Sequence, residues 1–125
     1  MYIARILYPV NVLGPGKRIG IWFNGCSHRC PGCSNPELWE TQDRYKTTLE
    51  TLMRLIEHIC HNHTVDGFTL TGGDPFAQVT ALKQLLPELA KFSTDILVYT
   101  GFDYEEVLQK YPALLSQIGV LIDGK

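Results

Sequence analysis

Apolar and polar positions alternate from Ile3 to Val12, which predicts an N-terminal strand closed by Gly14-Pro15-Gly16. Ile19 to Phe23 (IGIWF) is a short apolar run of good strand formers, read as a buried strand that enters Asn24-Gly25. From Thr47 to Asn62 the period changes. Leu49, Leu52, Met53, Ile56, Ile59 and Cys60 recur at helical spacing, and a Thr before Leu49 suits the N-cap. Gly67–Thr71 (GFTLT) predicts a strand ended by Gly72-Gly73-Asp74-Pro75. Val79–Phe92 predicts a helix with Leu82, Leu85, Leu86, Leu89 and Phe92 inward and an internal Pro87 that kinks or splits it. Ile96–Thr100 is a strand closed by Gly101, Tyr104–Gln117 a third helix around Pro112, and Gly119–Ile122 a last strand before Asp123-Gly124-Lys125.

Strand alternating with helix implies right-handed crossovers and a parallel sheet. The expected fold class is α/β: an open partial β/α barrel, with a mostly parallel sheet of four to five strands and helices on one face. Sites in such sheets lie beyond the carboxyl ends of the strands. Four unusual segments fall there: the loop after Phe23, Gly72-Gly73-Asp74, Thr100-Gly101 and Asp123-Gly124-Lys125. Topology alone brings them to one edge.

Composition narrows the setting. The 125 residues, with neither repeat nor linker, read as one domain spanning residues 1–125; a closed eight-fold barrel takes about 250. At 45% hydrophobic and 19% charged the chain can bury a core, so disorder is excluded as its main state. A net charge of −2 gives no electrostatic case for nucleic acid or an anionic membrane. No apolar run approaches the roughly 18 residues of a membrane span, and the first residues lack a signal-peptide pattern, so the expected location is cytoplasmic.

The chemistry concentrates in one loop. Cys26, Cys30 and Cys33 stand in a C-x3-C-x2-C spacing, too close together for a disulfide framework. In a reducing compartment such thiols read as metal ligands or redox groups. Zinc with His28 as fourth ligand is one reading, although structural zinc usually takes two well-separated pairs. An iron–sulfur cluster is the other. Three thiolates on a four-iron cubane leave one iron open for a substrate or cofactor.

These residues resemble the radical S-adenosylmethionine superfamily and, within it, the glycyl-radical activating enzymes of the anaerobic ribonucleotide reductase type. The likeness runs in order through Gly14-Pro15-Gly16, Gly25-Cys26, His28, Cys30-Pro31-Gly32-Cys33, Asn35, Trp39, Gly72-Gly73-Asp74-Pro75, Tyr99-Thr100-Gly101, Tyr104-Glu105-Glu106 and Val120–Lys125. It implies that Cys26, Cys30 and Cys33 ligate a [4Fe-4S] cluster whose open iron takes the amino and carboxylate groups of S-adenosylmethionine. An electron from a flavodoxin-like donor would cleave the sulfonium to methionine and a 5′-deoxyadenosyl radical. That radical would take hydrogen from a backbone glycine of a large partner, an anaerobic ribonucleotide reductase. The cofactor carries the chemistry; the protein binds, orients and excludes side reactions.

By the same resemblance Gly72, Gly73 and Asp74 receive the methionine amino group, Thr100 and Asp123 contact ribose or carboxylate, and Lys125 neutralises the cofactor carboxylate. Gly32 stands where many relatives have an aromatic residue, which moves the expected adenine contact to Trp39 or Phe76. The chain also ends at Asp123-Gly124-Lys125, earlier than the family's smallest members. It reads as the first part of a barrel of roughly six strands, naturally minimal or cut. The cluster would then lie near an exposed edge that a partner, a second copy forming a homodimer, or a further segment must cover. The alternatives are a radical enzyme acting on another glycyl-radical protein or a small molecule, as in deazapurine synthesis, and a non-enzymatic metal-binding docking module.

Other chemical-looking residues read as structural. Cys60 falls on an apolar helix face, and His58, His61 and His63 suit a helix C-terminus better than a metal site. Gly16-Lys17 is not a P-loop, because Asn11 and Arg18 occupy the required Gly and Ser/Thr positions. Glu105 and Glu106 serve a helix dipole, and Trp22 reads as a core strand residue.

Overall fold

The computed structural model describes residues 1–11, 14–25 and 43–122. Five strands form one sheet in the order β1-β2-β3-β4-β5: β1 Ile3–Val10, β2 Arg18–Phe23, β3 Gly67–Gly72, β4 Ile96–Tyr99 and β5 Val120–Ile122. β1 runs antiparallel to β2, and the other neighbours are parallel. Helices α1 (Leu49–Asn62), α2 (Val79–Ala90), α3 (Tyr104–Lys110) and α4 (Pro112–Leu115) fill the crossovers. When consecutive parallel strands are also neighbours, right-handed crossovers place every helix on the same face. This is the expected open, mostly parallel α/β sheet.

The core records that geometry. Ile19, Ile21 and Phe23 of β2, Phe68 and Leu70 of β3, and Ile96 and Val98 of β4 share one cluster with helix residues. Those include Leu52, Met53 and Ile56 of α1, Leu82, Leu85, Leu86 and Leu89 of α2, Val107 and Leu114. The period of two in each strand meets the helical period of each crossover. Each fully buried Leu or Ile contributes roughly 1.5–3 kcal/mol relative to exposure. Thr48 caps α1, its Oγ1 accepting from Thr51 N at 3.2 Å.

Several expectations are corrected. Trp22 is half-buried and stands outside the core cluster, because its neighbours Ile21 and Phe23 take the helix-facing positions. Its ring lies over Gly20 on the opposite face, with the Arg5 guanidinium 5.6 Å from the ring centroid. Helix α2 runs unbroken through Pro87. Pro87 and Lys83, one turn before it, are both exposed, so water can serve the carbonyl that lacks its donor. The helix stops at Ala90 and leaves Phe92 exposed rather than inward. Pro112 does divide the third helical stretch: Tyr111 leaves helical geometry at φ −135°, and Pro112 opens α4 at a position that needs no N–H donor.

The amino ends of the strands are tied by Arg18. Its side chain is completely buried and donates to Thr69 Oγ1 (2.8 Å), Phe68 O (2.7 Å), Asp95 O (3.1 Å) and Pro15 O (3.3 Å). It also forms a fork to the Asp95 carboxylate at 3.1 and 3.2 Å. One side chain thereby joins β2, β3 and the start of β4. Gly67 leaves room for it: a Cβ there would stand 2.7 Å from the guanidinium and 2.6 Å from Asp95 O. No helix among the described residues is long and apolar enough to cross a membrane.

Candidate functional site at the carboxyl edge of the sheet

The parallel strands end side by side, and their ends are joined by a continuous series of hydrogen bonds. Gly73 N donates to Phe23 O (2.8 Å) and Asp74 N to Gly25 O (2.9 Å), carrying the β2–β3 ladder past both strands. Thr100 N donates to Ile122 O (3.0 Å), which does the same for β4 and β5. Between the two pairs stands the Asp74 carboxylate, completely buried. It accepts from Phe76 N (2.9 Å), from Thr100 Oγ1 (2.9 and 3.0 Å to its two oxygens) and from Gly101 N (2.9 Å). A buried carboxylate with this many donors is well compensated. Asp74 therefore caps the turn Pro75–Gln78 and clamps the end of β3 to that of β4.

The two glycines have a local reason. Gly72 adopts φ +102°, and a Cβ there would lie 2.5 Å from both Phe23 N and Phe23 O. At Gly73 it would lie 2.3 Å from Gly25 O. The end of β2 thus presses its backbone against both positions, where no side chain fits.

Gly72, Gly73, Asp74 and Thr100 are brought together as topology required. Cys26, Cys30, Cys33, Asp123 and Lys125 lie outside the described residues, as do His28 and Trp39. Their starting points are nevertheless fixed: Cys26 follows directly on Gly25, bonded to Asp74, and Asp123 on Ile122, bonded to Thr100. Gly25, the residue before Cys26, is thus a buried and hydrogen-bonded root, which suits a cluster held by a short loop. Phe76, one of two expected adenine contacts, is a core residue, 3% exposed and stacked on Tyr111 with centroids 5.8 Å apart. The short turn after Asp74 carries that ring under the helices.

Cys60 packs partly buried against the core, and burial pushes its thiol up from the ordinary value. His63 sits beside the Tyr8 ring at 5.2 Å, and the Asn62 amide approaches His58 Nδ1 at 3.4 Å.

Comparison with known proteins settles the family. A 4Fe-4S single cluster domain matches residues 12–125. The anaerobic ribonucleoside-triphosphate reductase-activating protein of Vibrio cholerae is 34% identical over 124 residues, covering 94% of this chain and 80% of that protein. The chain belongs to this family of activating proteins. The protein of the same name from Enterobacteria phage T4 is 33% identical over 129 residues (95% of this chain, 78% of the relative). Its Escherichia coli counterpart is 30% identical over 129 residues (94% and 80%). Membership bears out the resemblance carried by the motifs: the chain is an activating enzyme with an iron–sulfur cluster domain.

Sequence reasoning missed two side chains of this architecture, Arg18 and Gln78. Arg18 left a faint signal, as a lone charge at the head of an apolar run. Gln78 left none, because its partners are backbone groups 54 and 76 residues away.

Proposed function

We propose that this protein is a radical S-adenosylmethionine enzyme that installs a glycyl radical on an anaerobic ribonucleoside-triphosphate reductase. Cys26, Cys30 and Cys33 hold a [4Fe-4S] cluster at the root formed by Gly25, and the carboxyl edge of the sheet receives S-adenosylmethionine. When bound, the cluster supplies the electron that cleaves the sulfonium, with a flavodoxin-like protein as its source. The single observation that carries this reading is the stitched edge. Phe23, Gly25, Gly73-Asp74, Thr100-Gly101 and Ile122 are joined by hydrogen bonds of 2.8 to 3.0 Å, and the motif residues Cys26 and Asp123 follow directly on Gly25 and Ile122.

The chain's own residues divide the work. Gly72 and Gly73 present backbone carbonyls to the methionine ammonium, since the Asp74 carboxylate already accepts from three groups of the protein. Asp74 and Thr100 hold that backbone in place. Asp123 and Lys125 meet the ribose and the carboxylate of the cofactor. The partner reductase covers the exposed edge near the cluster and shields the reacting centre from water. The protein works in the cytoplasm.

The test is anaerobic reconstitution with iron and sulfide, reduction with dithionite, and assay for methionine and 5′-deoxyadenosine. Mixing with the reductase should then give a glycyl-radical signal in electron paramagnetic resonance. A protein that binds zinc without iron, or an iron-loaded protein that leaves S-adenosylmethionine intact, would overturn the reading.

A further inference from the structure

Just beyond the end of the β1–β2 ladder, one rung is only half made. The register pairs Ile3 with Phe23, so the next pair outward is Tyr2 with Asn24. In an antiparallel sheet a hydrogen-bonded pair exchanges two bonds, each residue donating to the other. One is made: Asn24 N donates to Tyr2 O at 2.9 Å. In place of the other stands the side-chain amide of Gln78. Tyr2 N donates to Gln78 Oε1 (2.8 Å), and Gln78 Nε2 donates to Asn24 O (2.8 Å) and to Tyr2 O (3.0 Å).

This insertion has a geometric consequence. An amide placed between Tyr2 N and Asn24 O separates the two backbones at that rung while satisfying both. Asn24, completely buried, is released from β1 on its carbonyl side. The next residue, Gly25, bonds to β3 instead, through Asp74 N. Gln78 thus turns the end of β2 away from its antiparallel neighbour and toward its parallel one. Cys26 is the first residue after that turn.

We infer that Gln78 is a positioning residue for the cysteine loop: its amide sets the direction in which the chain leaves β2, and with it how the first cysteine meets the cluster. This inference rests on the proposed cluster site. Gln78 also belongs to the wall of a cavity of about 840 Å³ between the starts of α1 and α2. It can therefore be replaced without opening the hydrophobic core.

Two variants separate positioning from bulk stability. Gln78→Met keeps the length and loses all three bonds. Gln78→Glu keeps the acceptor for Tyr2 N and sets a carboxylate oxygen against the Asn24 carbonyl. Leu114→Ala, in the core and away from the edge, serves as a destabilised control. Each protein is reconstituted anaerobically, and the rate at which a chelator strips its iron is measured beside the thermal midpoint of the apo-protein. Both Gln78 variants should lose iron roughly 10-fold faster than wild type, in keeping with the loss of a ligand's supporting contacts. They should also show a changed paramagnetic spectrum of the reduced cluster. The control should lower the midpoint and leave both cluster readouts unchanged. Wild-type release rates and spectra in both Gln78 variants would overturn the inference while leaving the proposed function standing. A wild-type protein that assembles no iron–sulfur cluster would overturn the proposed function itself.

Discussion

The two edges of the parallel sheet are each closed by a buried ionisable side chain, and the closures are built differently. At the amino edge the buried Arg18 guanidinium meets the Asp95 carboxylate, three backbone carbonyls of the flanking segments and a threonine hydroxyl. At the carboxyl edge the donors described around Asp74 are the hydroxyl of Thr100 and the backbone N–H groups of Phe76 and Gly101. The first is a charged staple that ends the fold. The second is a set of bonds from uncharged donors to one carboxylate, and it fixes where three loops begin. The proposed function gives this difference a reason: a chain that holds a reactive group at one end of its sheet can put more of its stability at the other.

The comparison breaks first at the cysteines. Replacing Cys26, Cys30 or Cys33 singly by Ala should abolish cluster-dependent cleavage of S-adenosylmethionine and leave the apo-protein's thermal midpoint at the wild-type value. A large loss of apo-stability would mean that the carboxyl edge also carries the fold. Arg18→Met comes next in size. It removes the buried donor to Phe68 O and to the Thr69 hydroxyl, while Asp95, about half exposed, regains water. The expected cost is about 3 kcal/mol by urea unfolding, with the affinity of the loaded protein for S-adenosylmethionine unchanged.

Asp74→Asn should cost about 2 kcal/mol, since an amide N–H2 must face a donor at one of its two positions, and Thr100→Val about 1 kcal/mol. The two should be non-additive, because both side chains belong to one hydrogen-bonded network in which the Thr100 hydroxyl meets both Asp74 oxygens. Additive losses would show that the clamp is not shared. The smallest effect concerns Cys60. Burial raises its thiol above the ordinary value, so folding favours the protonated form. That contribution is complete below the ordinary thiol range and is lost as pH rises through the raised value. Urea midpoints followed into alkaline pH should therefore decline slightly more for wild type than for Cys60→Ala.

Periodicity was the readable part of this fold. β3 and α1 appear within two residues of their expected bounds, because one face of each is plainly apolar. Trp22 and Phe76 were misplaced for a common reason: an aromatic side chain is compatible with either side of a sheet, and only the parity set by Ile21 and Phe23, or the short turn after Asp74, decides which. Pro87 leaves α2 unsplit, and its exposure, invisible in a linear pattern, lets water serve the carbonyl that lacks its donor. The site was legible as a list of strand ends, and Asp74 and Thr100 do meet there. Their bond to each other, and the bonds of Gln78 to Tyr2 and Asn24, are contacts between distant segments that no local pattern encodes.

The most direct measurement is the electron paramagnetic resonance spectrum of the reduced, reconstituted protein titrated with S-adenosylmethionine. A cluster held by Cys26, Cys30 and Cys33 at the carboxyl edge has one iron open to the cofactor, so the spectrum should change and saturate as the cofactor is added. A cluster signal that S-adenosylmethionine leaves unaltered, or one that survives intact in Cys26→Ala, would contradict the account.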